Sequence, residues 1–352
     1  MKLGVSINHY QITNNFPVKT NLDKLLWLIR KPDKNIEINE TFAEKMSLEG
    51  YNKNLRFSII PSYNNYKEFF QELKNYNINL TLCLDHFYIW DYNIGSLFDK
   101  NHSKNLIKIL DGKKEIFNYS KYIEPVNEPQ LYIFLKSFGI IDNVEFIKTL
   151  TTNPYKFYKR LDIAIDNIKE LTNYLYDECK KEKYIINSYY HFDLVNLGKI
   201  LYIFYPFFKK LEDLNKELPG HYIGWHYYGS IGILRGLNFY RDLDIINPYK
   251  ISINRFKKII DYIKDKYKKD IIITEIGLSA NNKKQEVDRY NILTKMIEVA
   301  RNSGAKEVYI WSIMDNFEFQ SGYSKKFGIF YDIDLHKKYL YYPWLDVFKK
   351  YN

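Results

Sequence analysis

Two stretches decide how this chain reads: Ile271-Ile272-Ile273-Thr274-Glu275-Ile276-Gly277 and Tyr122-Ile123-Glu124-Pro125-Val126-Asn127-Glu128-Pro129. Each is a short apolar run that ends beside a glutamate. Continuous apolar runs of this length are the pattern of parallel strands buried on both faces. Working outward, six more runs follow the same plan: Leu3–Ile7, Leu55–Ile60, Leu80–Leu84, Tyr184–Asn187, Tyr222–Trp225 and Val308–Ile313. With Tyr122–Val126 and Ile271–Thr274 they make eight predicted strands. Helical patterns lie between them. Phe256, Ile259, Ile260, Ile263 and Tyr267 form one apolar stripe. Val287, Tyr290, Leu293, Ile297 and Ala300 form another, which stops near Gly304. Pro154 to Lys183 reads as a long helix. Strands alternating with helices fit a (β/α)8 TIM barrel or a doubly wound sheet. No glycine-rich phosphate loop follows the first strand, where Gly4 stands alone, so the barrel is the expectation. There is no linker, repeat or low-complexity tract, and residues 1–352 are expected to form one domain.

The composition of the 352 residues agrees with that reading. Hydrophobic residues make up 46% and charged residues 27%, which excludes a disordered tail, a collagen and a disulfide scaffold. Aromatic residues reach 18%, with 34 Tyr, which suits sugar sites, RNA-stacking surfaces and cores alike and decides nothing alone. The formal charge is +10. Its lysines (Lys257, Lys258, Lys264, Lys266, Lys268 and Lys269 among them) are spread along helices and mixed with acids. A solvated helix face is therefore expected rather than a nucleic-acid patch. Cys83 and Cys179 form no metal or redox motif, and Cys83, inside an apolar run, reads as a small core residue. No run of about 18 apolar residues suggests a membrane span. The start, Met1 to Ile12, lacks the apolar core of a signal peptide, so a cytoplasmic protein is the default expectation.

In a (β/α)8 barrel the reactive residues sit at the C-terminal ends of the strands. Glu128 lies there after strand four and Glu275 after strand seven. A charge at the edge of a buried apolar run is costly unless it is paired or used. Two carboxylates facing each other across a barrel mouth suit glycoside hydrolysis. One protonates the leaving oxygen while the other attacks the sugar carbon or activates water.

At these residues the sequence resembles glycoside hydrolase family 1, the retaining β-glycosidases of β-glucosidase and β-galactosidase type. Asn127-Glu128-Pro129 resembles that family's acid/base motif. Ile272-Ile273-Thr274-Glu275-Ile276-Gly277 resembles its nucleophile motif, with Ile276 where Asn is usual. The longest match is Trp311-Ser312-Ile313-Met314-Asp315-Asn316-Phe317-Glu318-Phe319, followed by Gly322-Tyr323-Ser324-Lys325-Lys326-Phe327-Gly328. Weaker matches occur at Tyr10-Gln11-Ile12, Arg56-Phe57-Ser58 and Tyr227-Tyr228. The resemblance implies Glu275 as the nucleophile and Glu128 as the acid/base, their carboxyl groups about 5–5.5 Å apart. It implies that Arg56 and Tyr228 hold the nucleophile and that Asn127 binds the sugar 2-hydroxyl. It makes Gln11, His86, Glu318 and Phe319 substrate-binding positions, with Trp311 as the platform under the sugar and a cis bond between Trp311 and Ser312. No cofactor and no metal ion are implied. The implied partner is a small-molecule or oligosaccharide β-glycoside, with no nucleic acid and no membrane. A homo-oligomer is compatible with the sequence.

Several positions depart from the family. The chain is shorter than usual, and Glu128 and Glu275 are only 147 residues apart, so the segments that shape the leaving-group side are trimmed. Phe319 stands where Trp is usual and lacks its N–H donor. His226 replaces an Asn before the two tyrosines, and the sequence leaves its role open. Glu318 would repel a phosphorylated sugar, which points to a neutral hexose. His191 and His221 have no metal-ligand spacing and read as loop or packing residues. Tyr227 reads as packing. The same intermediate would also support transglycosylation, and the same barrel could be a catalytically silent sugar binder.

Overall fold

A computed structural model describes residues 1–13, 34–86, 94, 97–137, 154–179, 181–191, 194–195, 201–229, 231–232, 251–318 and 322–352. Eight parallel strands close into a barrel in sequence order: β1 (Lys2–Asn8), β2 (Asn54–Ser58), β3 (Asn79–Asp85), β4 (Ser120–Val126), β5 (Tyr184–Tyr190), β6 (Tyr222–Tyr227), β7 (Asp270–Ile276) and β8 (Glu307–Trp311), with β8 pairing back to β1. All eight apolar runs are strands. Two end earlier than their hydrophobicity suggests. β2 stops at Ser58, and β8 stops at Trp311, where the Trp311–Ser312 peptide is cis.

Helices lie between the strands: α1 (Glu40–Ser47), α2 (Tyr66–Asn75), α3 (His102–Asp111), α4 (Pro129–Ser137), α5 (Pro154–Cys179), α6 (Leu201–Glu217), α7 (Ile253–Tyr267), α8 (Lys283–Asn302) and, after β8, α9 (Tyr341–Tyr351). The α7 stripe is buried throughout, and Ser252 caps the helix by accepting the Arg255 N–H. The outer face of α7 carries the expected solvated charges, with Lys257 paired to Asp261 at 2.7 Å. α8 departs from the expected stripe. Val287 is 42% exposed, and the first turns bury Glu286 and Arg289 instead. Arg289 pairs with Glu286 and donates to the carbonyls of Leu278, Lys326 and Gly328. The loops beneath that end of α8 offer carbonyls rather than an apolar surface, and a guanidinium satisfies them where a valine could not.

Inside the barrel, Tyr122, Ile186, Ile272 and Tyr309 pack into a separate layer. Glu307, where β8 begins, accepts the hydroxyls of Tyr122 (3.0 Å) and Tyr309 (2.6 Å). Asn352 Oδ1 takes the N–H of Leu3 and the amide of Asn54, so the chain end covers the same lower rim. The interior is thus a filled core rather than a pore. The next layer toward the C-terminal ends of the strands carries the charge. Among the described residues, no helix is long and apolar enough to cross a membrane.

Candidate active site

Side chains along a strand alternate between faces. Tyr122 and Glu124 therefore share the inner face of β4. On β7, Ile272 faces inward, which by strict alternation would send Glu275 outward. A bulge prevents that. Trp225 of β6 pairs with Ile273, but the next pair is His226 with Glu275, leaving Thr274 as an extra residue; the β7–β8 pairing is irregular at the same place. A bulge re-aims the side chains beyond it, and here it brings Glu275 into the barrel.

Arg56, fully buried on β2, receives it. Its NH1 donates to Glu275 Oε1 at 2.6 Å and to Ser6 Oγ at 3.1 Å. Nε donates to Glu124 Oε2 at 2.6 Å, and NH2 to Asn127 Oδ1 at 2.6 Å. Tyr228, just past β6, donates its hydroxyl to Glu275 Oε2. Glu128 follows β4 with a left-handed backbone, φ 39°, a conformation that non-glycine residues adopt sparingly and that clusters at functional sites. Its N–H donates to Ser188 Oγ at 3.2 Å. The Glu128 and Glu275 carboxylates converge on one atom, His226 Nδ1, which lies 3.5 Å from Glu128 Oε1 and 3.4 Å from Glu275 Oε2.

The two carboxylates are pushed in opposite directions. Burial pushes Glu275 up, but His226 and Arg56 outweigh it and hold its carboxyl well below the usual range. Burial pushes Glu128 up, His226 opposes and the Glu275 charge adds to the rise, leaving it at about 7. A pair so divided supplies one anion and one proton donor near neutrality. Glu124 is likewise opposed by its burial but held down to about 2 by Arg56 and His226.

A second group lies beside this one. Gln11 donates to the Phe317 carbonyl at 3.0 Å and to Glu318 Oε2 at 3.5 Å. Trp311 Nε1 donates to Glu318 Oε1 at 3.2 Å. Burial raises Glu318 to about 8. The His86 ring lies 5.9 Å from the Trp311 ring, with Nδ1 at 2.8 Å from Ser58 Oγ. Burial drops His86 to about 3, so it is neutral. Asn127 Nδ2, Glu128 Oε1 and His226 Nδ1 are buried with no hydrogen-bond partner in the protein. Such unsatisfied groups are uncommon away from functional sites. Phe319 lies outside the described residues.

Of the residues singled out from sequence, Arg56, Asn127, Tyr228 and Glu275 form one bonded cluster with Glu128 at its edge, and Gln11, Trp311 and Glu318 form a second. Glu124, His226 and Ser188 complete the first, and sequence reasoning did not select them. Glu124 carried a signal, since it is a charge inside the apolar run Tyr122–Val126 and the rule that marked Glu128 applies to it equally. The remaining candidates take structural places. His191 packs on Tyr262, and His221 Nδ1 accepts the Ile185 N–H. Tyr227 packs between Trp225 and Phe256, and Cys83 is buried. Asp332, Asp334 and His336 draw together in a loop, where Asp332 Oδ1 accepts the N–H groups of the other two.

Residues 245–340 match the family model of Glycosyl hydrolase family 1. Beta-glucosidase 24 of Arabidopsis thaliana is 30% identical over 99 residues, 24% of this chain and 19% of that protein. Beta-glucosidase A of Enterobacter agglomerans is 31% identical over 99 residues, 24% and 21% of the two chains. These matches span only about a fifth of the curated relatives. The fold similarity extends much further. A beta-glycosidase from Pyrococcus horikoshii superposes with a TM-score of 0.77 at 15% identity, over 99% of this chain and 93% of that one. A beta-glucosidase from Thermotoga maritima in complex with galacto-hydroximolactam gives 0.74 at 14% identity, over 100% and 98%. At such identities the likeness is one of fold.

Proposed function

We propose that the chain is a member of Glycosyl hydrolase family 1, whose model matches residues 245–340, and that it hydrolyses β-linked glycosides with retention of configuration. Glu275 attacks the anomeric carbon. Glu128 gives its proton to the departing glycosidic oxygen, and the aglycone leaves as an alcohol. The product is a glycosyl ester of Glu275. Glu128, now a carboxylate, takes a proton from water as that water attacks the same carbon. The free sugar departs and both carboxyls return to their starting states.

The observation that carries this reading is the division of labour within one buried cluster. Arg56 and Tyr228 keep Glu275 anionic and aimed, while Glu128 keeps its proton to about 7. Asn127, held through its carbonyl oxygen by Arg56, has a free N–H for the 2-hydroxyl, a contact that strengthens in the transition state. Gln11, Glu318 and Trp311 supply further donors, acceptors and an apolar face for the same ring. Gln11, Trp311 and Glu318, the last kept protonated to about 8, offer hydrogen bonds for hydroxyl groups and no cationic side chain for an anionic one, which favours a neutral hexose.

The test is a panel of aryl β-glycosides with wild type and Glu275→Gly, with and without azide. Wild type cleaves at least one member, the variant is slower by several orders of magnitude, and azide restores turnover as an α-glycosyl azide. A variant as active as wild type, or an azide product of β configuration, would overturn the assignment.

A further inference from the structure

His226 has no part in the two steps just written, yet it occupies the centre of the cluster. Its ring is fully buried and held from neighbouring strands. Nε2 bonds Ser188 Oγ on β5 at 3.0 Å and Glu124 Oε1 on β4 at 3.4 Å. That leaves Nδ1 within ion-pair range of both reacting carboxylates, 3.5 Å from Glu128 and 3.4 Å from Glu275. We propose that His226 is a positioning residue that works as an imidazolium between the two carboxylates, holding Glu275 ionised together with Arg56 and setting the pH at which Glu128 releases its proton. The proposal rests on the glycosidase reading for its effect on rate, but not for the charge on the ring.

The surrounding charges require a second cation. Arg56 faces the ring's neighbours from β2, Glu124 from β4 and Glu128 from just past it, Glu275 from β7 and His86 from just past β3, with the Tyr228 hydroxyl just past the end of His226's own strand. That is two ionised carboxylates and the Glu128 carboxyl against one permanent cation in a dry interior, where like charges disfavour a further ionisation. The two buried histidines separate on this point. His86 is neutral. Burial also opposes a charge on His226, but the adjacent carboxylates reverse it and raise the ring to about 9. The consequence for turnover follows. In the glycosyl-enzyme the Glu275 charge is neutralised as an ester, and the imidazolium is left to Glu128, which favours the carboxylate that must accept a proton from water.

The experiment has two arms. In the first, kcat/KM is measured against pH for wild type and His226→Asn on an aryl β-glycoside. Without the imidazolium both carboxylates hold their protons to higher pH, so both limbs of the bell move upward, on the order of one pH unit. A packing role would lower the rate and leave both limbs where they were. In the second, the imidazole signals of isotope-labelled histidines are titrated in wild type and Glu275→Gln. The His226 signal is identified as the one missing from His226→Asn, or from His226→Gln should the first variant not fold. Wild type keeps a cationic His226 through neutrality, and Glu275→Gln loses that charge at lower pH. A ring that is neutral across pH 5 to 8, or limbs that do not move in an active His226→Asn, overturns the inference. If wild type cleaves no glycoside, the glycosidase reading fails alone and the titration still decides the state of His226.

Discussion

Arg56 donates at once to Ser6, Glu124, Asn127 and Glu275, and its Glu275 partner is 219 residues away in the chain. The resemblance assigned this arginine one carboxylate, Glu275, and the structure adds Glu124. Both are buried, so removing the guanidinium leaves two charges in the interior without their main counter-ion. Arg56→Met is therefore expected to cost about 3–5 kcal/mol, the usual penalty for breaking a buried ion pair. The penalty shrinks as pH falls, because the stranded carboxyls can take up protons. Urea unfolding at pH 7 and pH 5 checks this, and a loss under about 1 kcal/mol at pH 7 would mean that Arg56 is not the keystone of the cluster. At this scale residue types were legible, because a buried charge must be paired or used. Partners were not, since the sequence holds no distances. The same limit hid His226, whose role comes from three carboxylates contributed by two other strands.

The end of β7 shows what a single element contributes. The bulge at Thr274 aims Glu275, and Gly277 lets the strand end pass close to β8. A Cβ on Gly277 would lie 2.6 Å from the Trp311 carbonyl oxygen and 2.9 Å from the Tyr228 ring. The first contact is backbone and cannot yield by a side-chain rotation. Gly277→Ala is expected to displace Trp311 and Tyr228 together, lowering kcat/KM on the order of 100-fold and stability by about 1–3 kcal/mol. Kinetics and a thermal melt on the purified variant test both. A variant with wild-type kinetics would show that the close approach does not position those residues. The apolar run Ile271–Thr274 made β7 legible as a strand. The bulge was not, because it shows only in the pairing of β7 with β6 and β8, where both neighbours skip one β7 residue. The α8 stripe is buried at Leu293, Ile297 and Ala300 but fails at Val287, for a related reason. Hydrophobic period finds a buried face, but only the loops beneath it decided that Arg289 and not Val287 belonged there.

For the molecule as a whole, the charged layer in the barrel ties stability to pH. Glu124 and Glu275 are held below their ordinary values, so their support is fully present above about pH 4.5 and is lost as pH falls toward the folded values. His226 is raised to about 9, so its support is complete below about pH 6.5 and is lost as pH rises through 9. Glu128 and Glu318 are raised to about 7 and about 8, so each costs stability progressively as pH rises from about 4.5 to those values. The unfolding free energy should therefore peak at about pH 4.5 to 5 and decline on both sides, more steeply above pH 6.5 where His226 also begins to contribute less. Chemical denaturation from pH 3 to 9 measures it, and a maximum above pH 8 would contradict these assignments. The eight strands, their alternation with helices and the two glutamates at strand ends were legible in the linear order of residues. Each follows from local hydrophobic runs and from the cost of placing a charge beside them. Which carboxylates share a counter-ion, that a bulge turns Glu275 inward and that His226 stands between the pair emerge only in the folded chain. Those facts depend on barrel closure and strand register, which bring residues far apart in the chain within a few ångströms of one another.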